Sequence, residues 1–160
     1  MILGIDPGVR KLGYAIIDGM QIVDGGVLIL DSKTKLERPD YRERMSRIRA
    51  FFVELLDQYP DIDTVSMEKL FAFRNYNNME FVYGVRGMLM TLFREHHFTL
   101  HEYTPLQLKK YIAGTAKASK EQMITMISRL YQIDDDTMYH DTADAIGLAY
   151  LAYKGVASSR

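Results

Sequence analysis

Short apolar runs alternate with helical repeats along this chain, and together they predict a mixed α/β fold. Runs closed by turn residues predict β-strands over 1–5, 12–17, 20–30, 62–68 and 98–103. Apolar residues at helical spacing, or small apolar residues in the last case, predict helices over 40–59, 75–94, 104–112, 119–131 and 141–153. The first three strands follow one another directly, whereas helices connect the later ones. We therefore expect a five-stranded mixed sheet, antiparallel and then parallel, flanked by helices.

Turn residues set the connections between the first three strands. Pro7-Gly8 closes the first run tightly enough for the second run to return beside it as a hairpin. Asp18-Gly19 is a hairpin signal, and Gly25-Gly26 inside the third run predicts a β-bulge. In such a sheet the first strand lies centrally, with the fourth strand parallel beside it.

The predicted helix over 75–94 is apolar on nearly all sides. Ten of the fifteen positions between Met79 and Phe93 are apolar, so both sides of the helix are expected to be buried. One side would face the sheet. The other would face either a second subunit or another helix of the same chain, and Gly84 and Gly87 would allow close approach.

Composition narrows the class of protein. At 160 residues, the chain is expected to form one domain over 1–160. It contains no cysteine, which excludes disulfides and thiolate metal sites. No apolar stretch approaches the roughly 18 residues of a membrane span, and the strand-like N-terminus differs from a signal peptide. We therefore expect a cytoplasmic protein without membrane association.

The net charge of −1 argues against a simple nucleic-acid binder, but the charges are unevenly distributed. Five aspartates lie between Asp134 and Asp144, which leaves the rest of the chain net positive. Basic residues outnumber acidic ones between Leu100 and Leu130, which favours a phosphate-binding face. A second basic set is mixed with acids, and we expect it to be the solvated side of a helix: Arg38, Arg42, Arg44, Arg47 and Arg49.

Two carboxylates end buried strands, where an unpaired charge costs free energy. Asp6 follows the first run and Glu68 ends the fourth, so the predicted strand order places both at the same edge of the sheet. Asp141 and Asp144 are three residues apart and face the same way in the first turn of the last helix. That pair is also typical of ordinary helix capping. It gains significance because Asp6 and Glu68 need a partner.

Four clustered carboxylates would repel one another and raise one another's pKa unless cations intervened. Ligands that are all oxygen suit Mg²⁺ or Mn²⁺. Two such ions about 3.5–4 Å apart would stabilise both the attacking and the leaving oxygen of a phosphodiester. The positive charge of the two ions would also offset the net negative charge of the chain, which otherwise argues against a polyanionic substrate.

The segment after Glu68 combines aromatic and polar residues. Phe71 and Phe73 lie beside Arg74 and Asn75, a composition suited to stacking on bases and holding phosphates. The two phenylalanines fit a hydrophobic core equally well.

Four motifs occur in an order and spacing that resemble one known family. They are GIDPG near the N-terminus, MEKLF after the fourth strand, EYTPLQLKK, and DTADAIGLA near the C-terminus. Together they resemble the RuvC Holliday junction resolvases, over nearly the whole chain. The resemblance implies a ribonuclease H-like fold and a homodimer that cuts two symmetry-related strands of a four-way DNA junction in recombination and repair.

The resemblance also implies roles for individual residues. The family's acidic metal ligands, for two Mg²⁺ ions per subunit, fall on Asp6, Glu68, Asp141 and Asp144. Its aromatic residue near the junction crossover falls on Phe71, and its DNA-binding basic residues fall on Arg74, Lys109 and Lys120.

His140 raises a separate question, because some relatives have His where others have the first Asp of the C-terminal pair. The spacing to Asp144 favours Asp141 as the ligand. His140 is then either a supporting or general-base residue, or a solvated loop residue.

Other functions compete with junction cleavage. One is RNA processing by a nuclease of the same fold. A second is nucleotide phosphotransfer of the actin-like kind, which needs a second lobe that 160 residues do not accommodate. A third is junction binding without activity, which would require a damaged acidic set. A branch-migration motor is an expected partner of the leading candidate.

Overall fold

The computed structural model describes residues 1–8, 10–31, 40–69, 79–134 and 138–158. Every predicted element is found, with ends that differ by a few residues. The elements are β1 (Ile2–Asp6), β2 (Lys11–Asp18), β3 (Gln21–Ile29), α1 (Tyr41–Gln58), β4 (Thr64–Glu68), α2 (Met79–Glu95), β5 (Thr99–Tyr103), α3 (Pro105–Ala113), α4 (Lys120–Tyr131) and α5 (His140–Tyr153). The predicted helical residues 75–78 lie outside the described part.

The five strands form one sheet in the order β3-β2-β1-β4-β5. β1 pairs antiparallel with β2 and parallel with β4, and β4 pairs parallel with β5. The predicted mixed sheet, with the first strand at its centre and the fourth beside it, is confirmed. Asp6 and Glu68 thus end neighbouring parallel strands at the same edge.

The β2–β3 hairpin turns at Gly19-Met20, one residue later than the predicted Asp18-Gly19, because Asp18 still pairs with Gln21. Gly19 adopts a φ of +59° that favours glycine. The predicted bulge at Gly25-Gly26 is wrong. Both glycines pair in regular register, and the irregularity lies where Ile16 and Ile17 meet β3. At Gly26 the missing side chain leaves room for the ring of Tyr14, whose nearest atom would be 3.3 Å from a Cβ.

A hydrophobic core covers each face of the sheet. On one face, α1 and α2 pack on the side chains of β1 and β4 that include Leu3, Ile5 and Val65. On the other, α3, α4 and α5 pack on Ala15 and Ile17 of β2. No helix among the described residues is long and apolar enough to cross a membrane.

Helix α2 is covered partly by its own chain. Phe93 contacts Phe52 of α1 edge to face, and a Cβ on Gly84 would lie 3.4 Å from the Met45 side chain. Another helix of the same chain therefore accounts for part of the apolar surface of α2. Tyr83, on a different side of the helix, is 44% exposed.

Arg44 departs from the expected solvated face of α1. Its side chain is buried, and the guanidinium lies 4.2 Å from the ring centroid of Phe81 in α2. A guanidinium over an aromatic face is a favourable cation–π contact. Arg42, Arg47 and Arg49 are exposed as expected, whereas Arg38 lies outside the described residues.

Candidate active site

The alternation of side chains along β1 and β4 directs Asp6 and Glu68 to the face of the sheet that α5 covers. Residues two apart on a strand share a face. Gly4 in β1 contacts α5, and Ser66 in β4 donates a hydrogen bond from Oγ to the backbone oxygen of Leu148 (2.7 Å). Asp6 and Glu68 follow these two residues by two positions, so both carboxylates face α5.

Two glycines allow α5 to lie directly on the sheet. A Cβ on Gly4 or on Gly13 would come within 2.0 Å of a backbone oxygen of α5, which for Gly13 is the oxygen of Asp141. Gly13 pairs with Asp6 in the β1–β2 ladder. The first turn of α5, which carries Asp141, therefore lies against the end of β1. The predicted placement of Asp144 in that turn is wrong, because α5 begins at His140 and Asp144 lies in the next turn.

Asp6 lies at the centre of the resulting negative charge. Burial raises the pKa of the Asp6 carboxyl well above its ordinary value, and the charges of Glu68, Asp144 and Asp141 raise it further. The ammonium of Lys120 acts in the opposite direction. These mutual effects show that the four predicted carboxylates are electrostatic neighbours.

Glu68 and Asp144 have raised pKa values for the same two reasons. Burial, followed by the charge of Asp144, raises the pKa of Glu68 to about 7. Burial, followed by the charge of Asp141, raises the pKa of Asp144 to about 6. Lys109 lowers the pKa of both carboxyls, so its ammonium lies close to them.

Helices α3 and α4 hold the two lysines beside the carboxylates. The side chain of Leu108 packs over Gly147 of α5, where a Cβ would be 2.8 Å from Leu108 Cδ1, and Lys109 is the next residue. Ser119 caps α4 by accepting a hydrogen bond from the backbone N–H of Gln122. Lys120 follows as the first helical residue. Both predicted phosphate-binding lysines thus border the acidic site.

The donor set fits a hard divalent cation. All four groups are carboxylates, three of them carry pKa values raised by burial and mutual repulsion, and a cation would offset that charge. Among the described residues, no three carboxylate or imidazole groups are arranged as a complete chelating cluster. The site therefore has the composition and charge that suit a metal ion.

Comparison with known proteins identifies the family. Residues 2–151 match the family model described as "Crossover junction endodeoxyribonuclease RuvC". The chain belongs to the RuvC family. Relatives of that name from Helicobacter pylori (strain G27) and Halothermothrix orenii are 36% and 31% identical over 152 and 153 residues. The alignments cover 92% and 93% of this chain, and 92% and 89% of the relatives.

A solved RuvC structure shares the fold. The Thermus thermophilus protein, in complex with a Holliday junction substrate, superposes with a TM-score of 0.79 at 23% identity, covering 98% of this chain and 97% of that chain. This similarity establishes the architecture. The RuvC-type fold predicted from the four motifs, with its mixed five-stranded sheet and flanking helices, is therefore confirmed.

Three further residues were given roles by comparison with the RuvC family, and the structure describes only one of them. Phe71 and Arg74 lie outside the described residues, so their predicted DNA contacts stay predictions. His140 is the first residue of α5, is partly buried, and is close enough to Asp144 to lower its pKa. Its buried Nδ1 has no hydrogen-bond partner among the described atoms. His140 therefore adjoins the site, and it is not a freely solvated loop residue.

Two residues at the border of the carboxylate cluster were not predicted from the sequence. Lys11 begins β2, and its ammonium lies 5.7 Å from the ring centroid of Tyr139, which precedes α5. Because Lys11 is two residues before Gly13, the alternation of β2 offers a signal that it shares the face of the carboxylates. No comparable signal exists for Tyr139, since the contact joins opposite ends of the chain.

Proposed function

We propose that this protein is a Mg²⁺-dependent endodeoxyribonuclease that cuts four-way DNA junctions during recombination and repair. The observation that carries the proposal is one cluster of four carboxylates at the edge of a RuvC-family sheet, bordered by Lys109 and Lys120. Burial and the neighbouring negative charges raise the pKa of three of them, Asp6, Glu68 and Asp144. Such a cluster suits metal-assisted phosphodiester hydrolysis. The proposed substrate implies a cytoplasmic location, where the DNA of bacteria such as Helicobacter pylori is found.

In the proposed mechanism, Asp6, Glu68, Asp141 and Asp144 hold two divalent ions, Mg²⁺ or Mn²⁺. When bound, these ions would activate water and stabilise the charge that develops on the phosphate oxygens. The protein contributes rigid positions, because two carboxylates end paired strands and two lie in a helix that packs on those strands. His140, beside Asp144, is proposed to support that carboxylate.

Lys109 and Lys120 are proposed to neutralise phosphates of the cleaved strand. Both ammonium groups lie close enough to the carboxylates to lower their pKa values, so a phosphate at the acidic site would meet them directly. The first turn of α5 adds to this attraction, because the N-terminus of a helix favours negative charge. Phe71 and Arg74 are proposed to contact the junction from the segment after Glu68.

We also propose that one nuclease domain spans residues 1–160 and acts as a homodimer. Two cores share a single sheet, which supports one domain. The homodimer is proposed from membership of the RuvC family, and the exposed side of α2, which includes Tyr83 and Gly87, is the surface proposed to pair with a second copy. An isologous dimer would present two sites to two strands of a symmetric junction. A branch-migration motor remains a further proposed partner.

The test is cleavage of a synthetic mobile junction with Mg²⁺ and with EDTA, with the nicks mapped on all four strands. We expect paired nicks at symmetry-related positions, only with the metal and in preference to duplex DNA of the same sequence. A structured RNA competitor separates the alternatives. Preferential cutting of the RNA would indicate an RNA-processing nuclease, and binding without nicks would indicate a junction-binding protein.

A further inference from the structure

An exposed tyrosine and an exposed lysine meet at the border of the carboxylate cluster. Tyr139 is 61% exposed, and the Lys11 ammonium lies 5.7 Å from its ring centroid. The two residues come from opposite ends of the chain, so the fold of β2 against α5 creates the pair. A ring with that exposure retains an accessible face that Lys11 does not cover.

Secondary structure fixes the backbone of both residues of the pair. The carbonyl of Tyr139 accepts the first hydrogen bond of α5, from the N–H of Ala143 (3.0 Å). Lys11 pairs with Ile29 in the β2–β3 ladder. The side chain of Tyr139 does not cap the helix, so the ring is available for another contact.

The position of the Lys11–Tyr139 pair relative to the carboxylates indicates which part of a bound DNA strand would contact it. Tyr139 precedes Asp141 by two residues, and Lys11 precedes Gly13, which lies against Asp141. Lys109 and Lys120 border the cluster from α3 and α4. Lys11 borders it from the start of β2, and Tyr139 from the position just before α5. A DNA strand whose phosphate enters the cluster between these two borders would therefore pass over the Lys11–Tyr139 pair.

We propose that Lys11 and Tyr139 form a nucleotide-binding position next to the cut site. The Tyr139 ring stacks on the base beside the scissile phosphate, and the Lys11 ammonium contacts the neighbouring phosphate. Aromatic stacking combined with a nearby cation is the usual way in which proteins hold unpaired nucleotides. The inference rests on the proposed function, since it names a contact made by the DNA substrate of the same site.

The chain supplies a matched control at the other end of α5. Tyr153 is 43% exposed, and Lys154 lies 5.9 Å from its ring centroid. This second lysine–tyrosine pair has the same chemistry but lies about 20 Å along the helix from the first turn. Tyr153→Ala therefore tests whether losing any exposed tyrosine of α5 has the same effect.

The experiment places 2-aminopurine at the nucleotides that flank the mapped cut and records its fluorescence on binding in EDTA, followed by cleavage in Mg²⁺. Stacking on Tyr139 should quench the probe. We expect Tyr139→Ala to lose the quenching and to lower kcat/KM by about 5- to 50-fold, Tyr139→Phe to restore the quenching, and Tyr153→Ala to match the wild type. Lys11→Gln should reduce the salt dependence of binding by about one counterion.

The possible failures are distinguishable. If the wild type cuts the junction while Tyr139→Ala quenches the probe and cuts as the wild type does, the nucleotide-binding position is wrong and the proposed function stands. If the wild type cuts no junction, the proposed function fails, and the substrate named for the pair fails with it.

Discussion

Gly13 lies directly beneath the backbone oxygen of Asp141, so closely that a Cβ on residue 13 would come within 2.0 Å of that atom. Gly13 also pairs with Asp6 in the β1–β2 ladder. The missing side chain therefore sets the distance between the carboxylate that ends β1 and the pair that begins α5. A methyl group at this position would push the first turn of α5 away from the sheet.

Gly13→Ala should for this reason damage both folding and catalysis. We expect a loss of about 1–3 kcal/mol in the free energy of unfolding. We expect cleavage to fall by about 100-fold, because a small displacement of catalytic groups is costly. Urea denaturation and single-turnover cleavage measure the two effects.

A second glycine provides the control for that substitution. A Cβ on Gly87 of α2 would meet no described atom of its own chain within 4 Å. Because Gly87 shares the exposed side of α2 with Tyr83, the comparison is made at a protein concentration at which the chain is monomeric. Gly87→Ala should there raise the free energy of unfolding by about 0.5–1 kcal/mol through helix propensity. If Gly13→Ala were as stable and as active as the wild type, the direct packing of α5 on β2 would be wrong.

The raised pKa values predict that the metal-free protein loses stability as the pH rises. In the folded protein, Glu68 has a pKa of about 7 and Asp144 a pKa of about 6. Both groups therefore remain protonated at pH values at which the same groups are ionised in the unfolded chain. Stability therefore falls as the pH increases through these values. We expect a decrease on the order of 2 kcal/mol between pH 5 and pH 8 in EDTA.

Mg²⁺ should reverse this loss at pH 8, because an ion that binds only the folded state stabilises it. Thermal unfolding in EDTA and in Mg²⁺ across that range measures both effects. A metal-free stability that is constant or increases from pH 5 to pH 8 would contradict the charge arrangement described for the four carboxylates.

Lys109 should control the pH at which the site becomes charged. Its ammonium lowers the pKa of Glu68 and Asp144, so Lys109→Gln should raise both. We expect the acidic limb of the kcat/KM profile to move upward by roughly one pH unit. Lys110→Gln, an exposed neighbour on the same helix, should weaken DNA binding without moving the limb. Equal profiles for the two variants would exclude a specific effect of Lys109.

Much of the fold was predictable because residue type along the chain locates the strands and helices, and their order determines how the strands pair. Apolar runs located every strand, and the placement of β1 beside β4 brought Asp6 and Glu68 to one edge. The alternation of residues along the strands also predicts which face of the sheet the two carboxylates occupy. Gly4 and Asp6, like Ser66 and Glu68, share a face by alternation, which would have directed both carboxylates toward α5.

Other features depended on contacts that no local pattern describes. Arg44 was expected in solvent because acids and bases are mixed along α1, yet it lies four residues before Ile48, on the buried side, and it contacts Phe81 of another helix. The Lys11–Tyr139 contact likewise joins elements that are distant in the sequence. The close approach at Gly13 becomes visible only once α5 is packed on β2.

Cleavage by Asp6→Asn tests whether the buried carboxylate at the end of β1 holds the metal on which cutting depends. The substitution keeps the shape of the side chain and removes its charge. Binding of a synthetic four-way junction and its cleavage in Mg²⁺ are measured in parallel. The control is Asp18→Asn, at the exposed last residue of β2, far from the carboxylate cluster. We predict that Asp6→Asn binds the junction within a few-fold of the wild type and cuts it about 1,000-fold more slowly or not at all, whereas Asp18→Asn cuts normally. Cleavage by Asp6→Asn at the wild-type rate would show that cutting does not depend on this carboxylate.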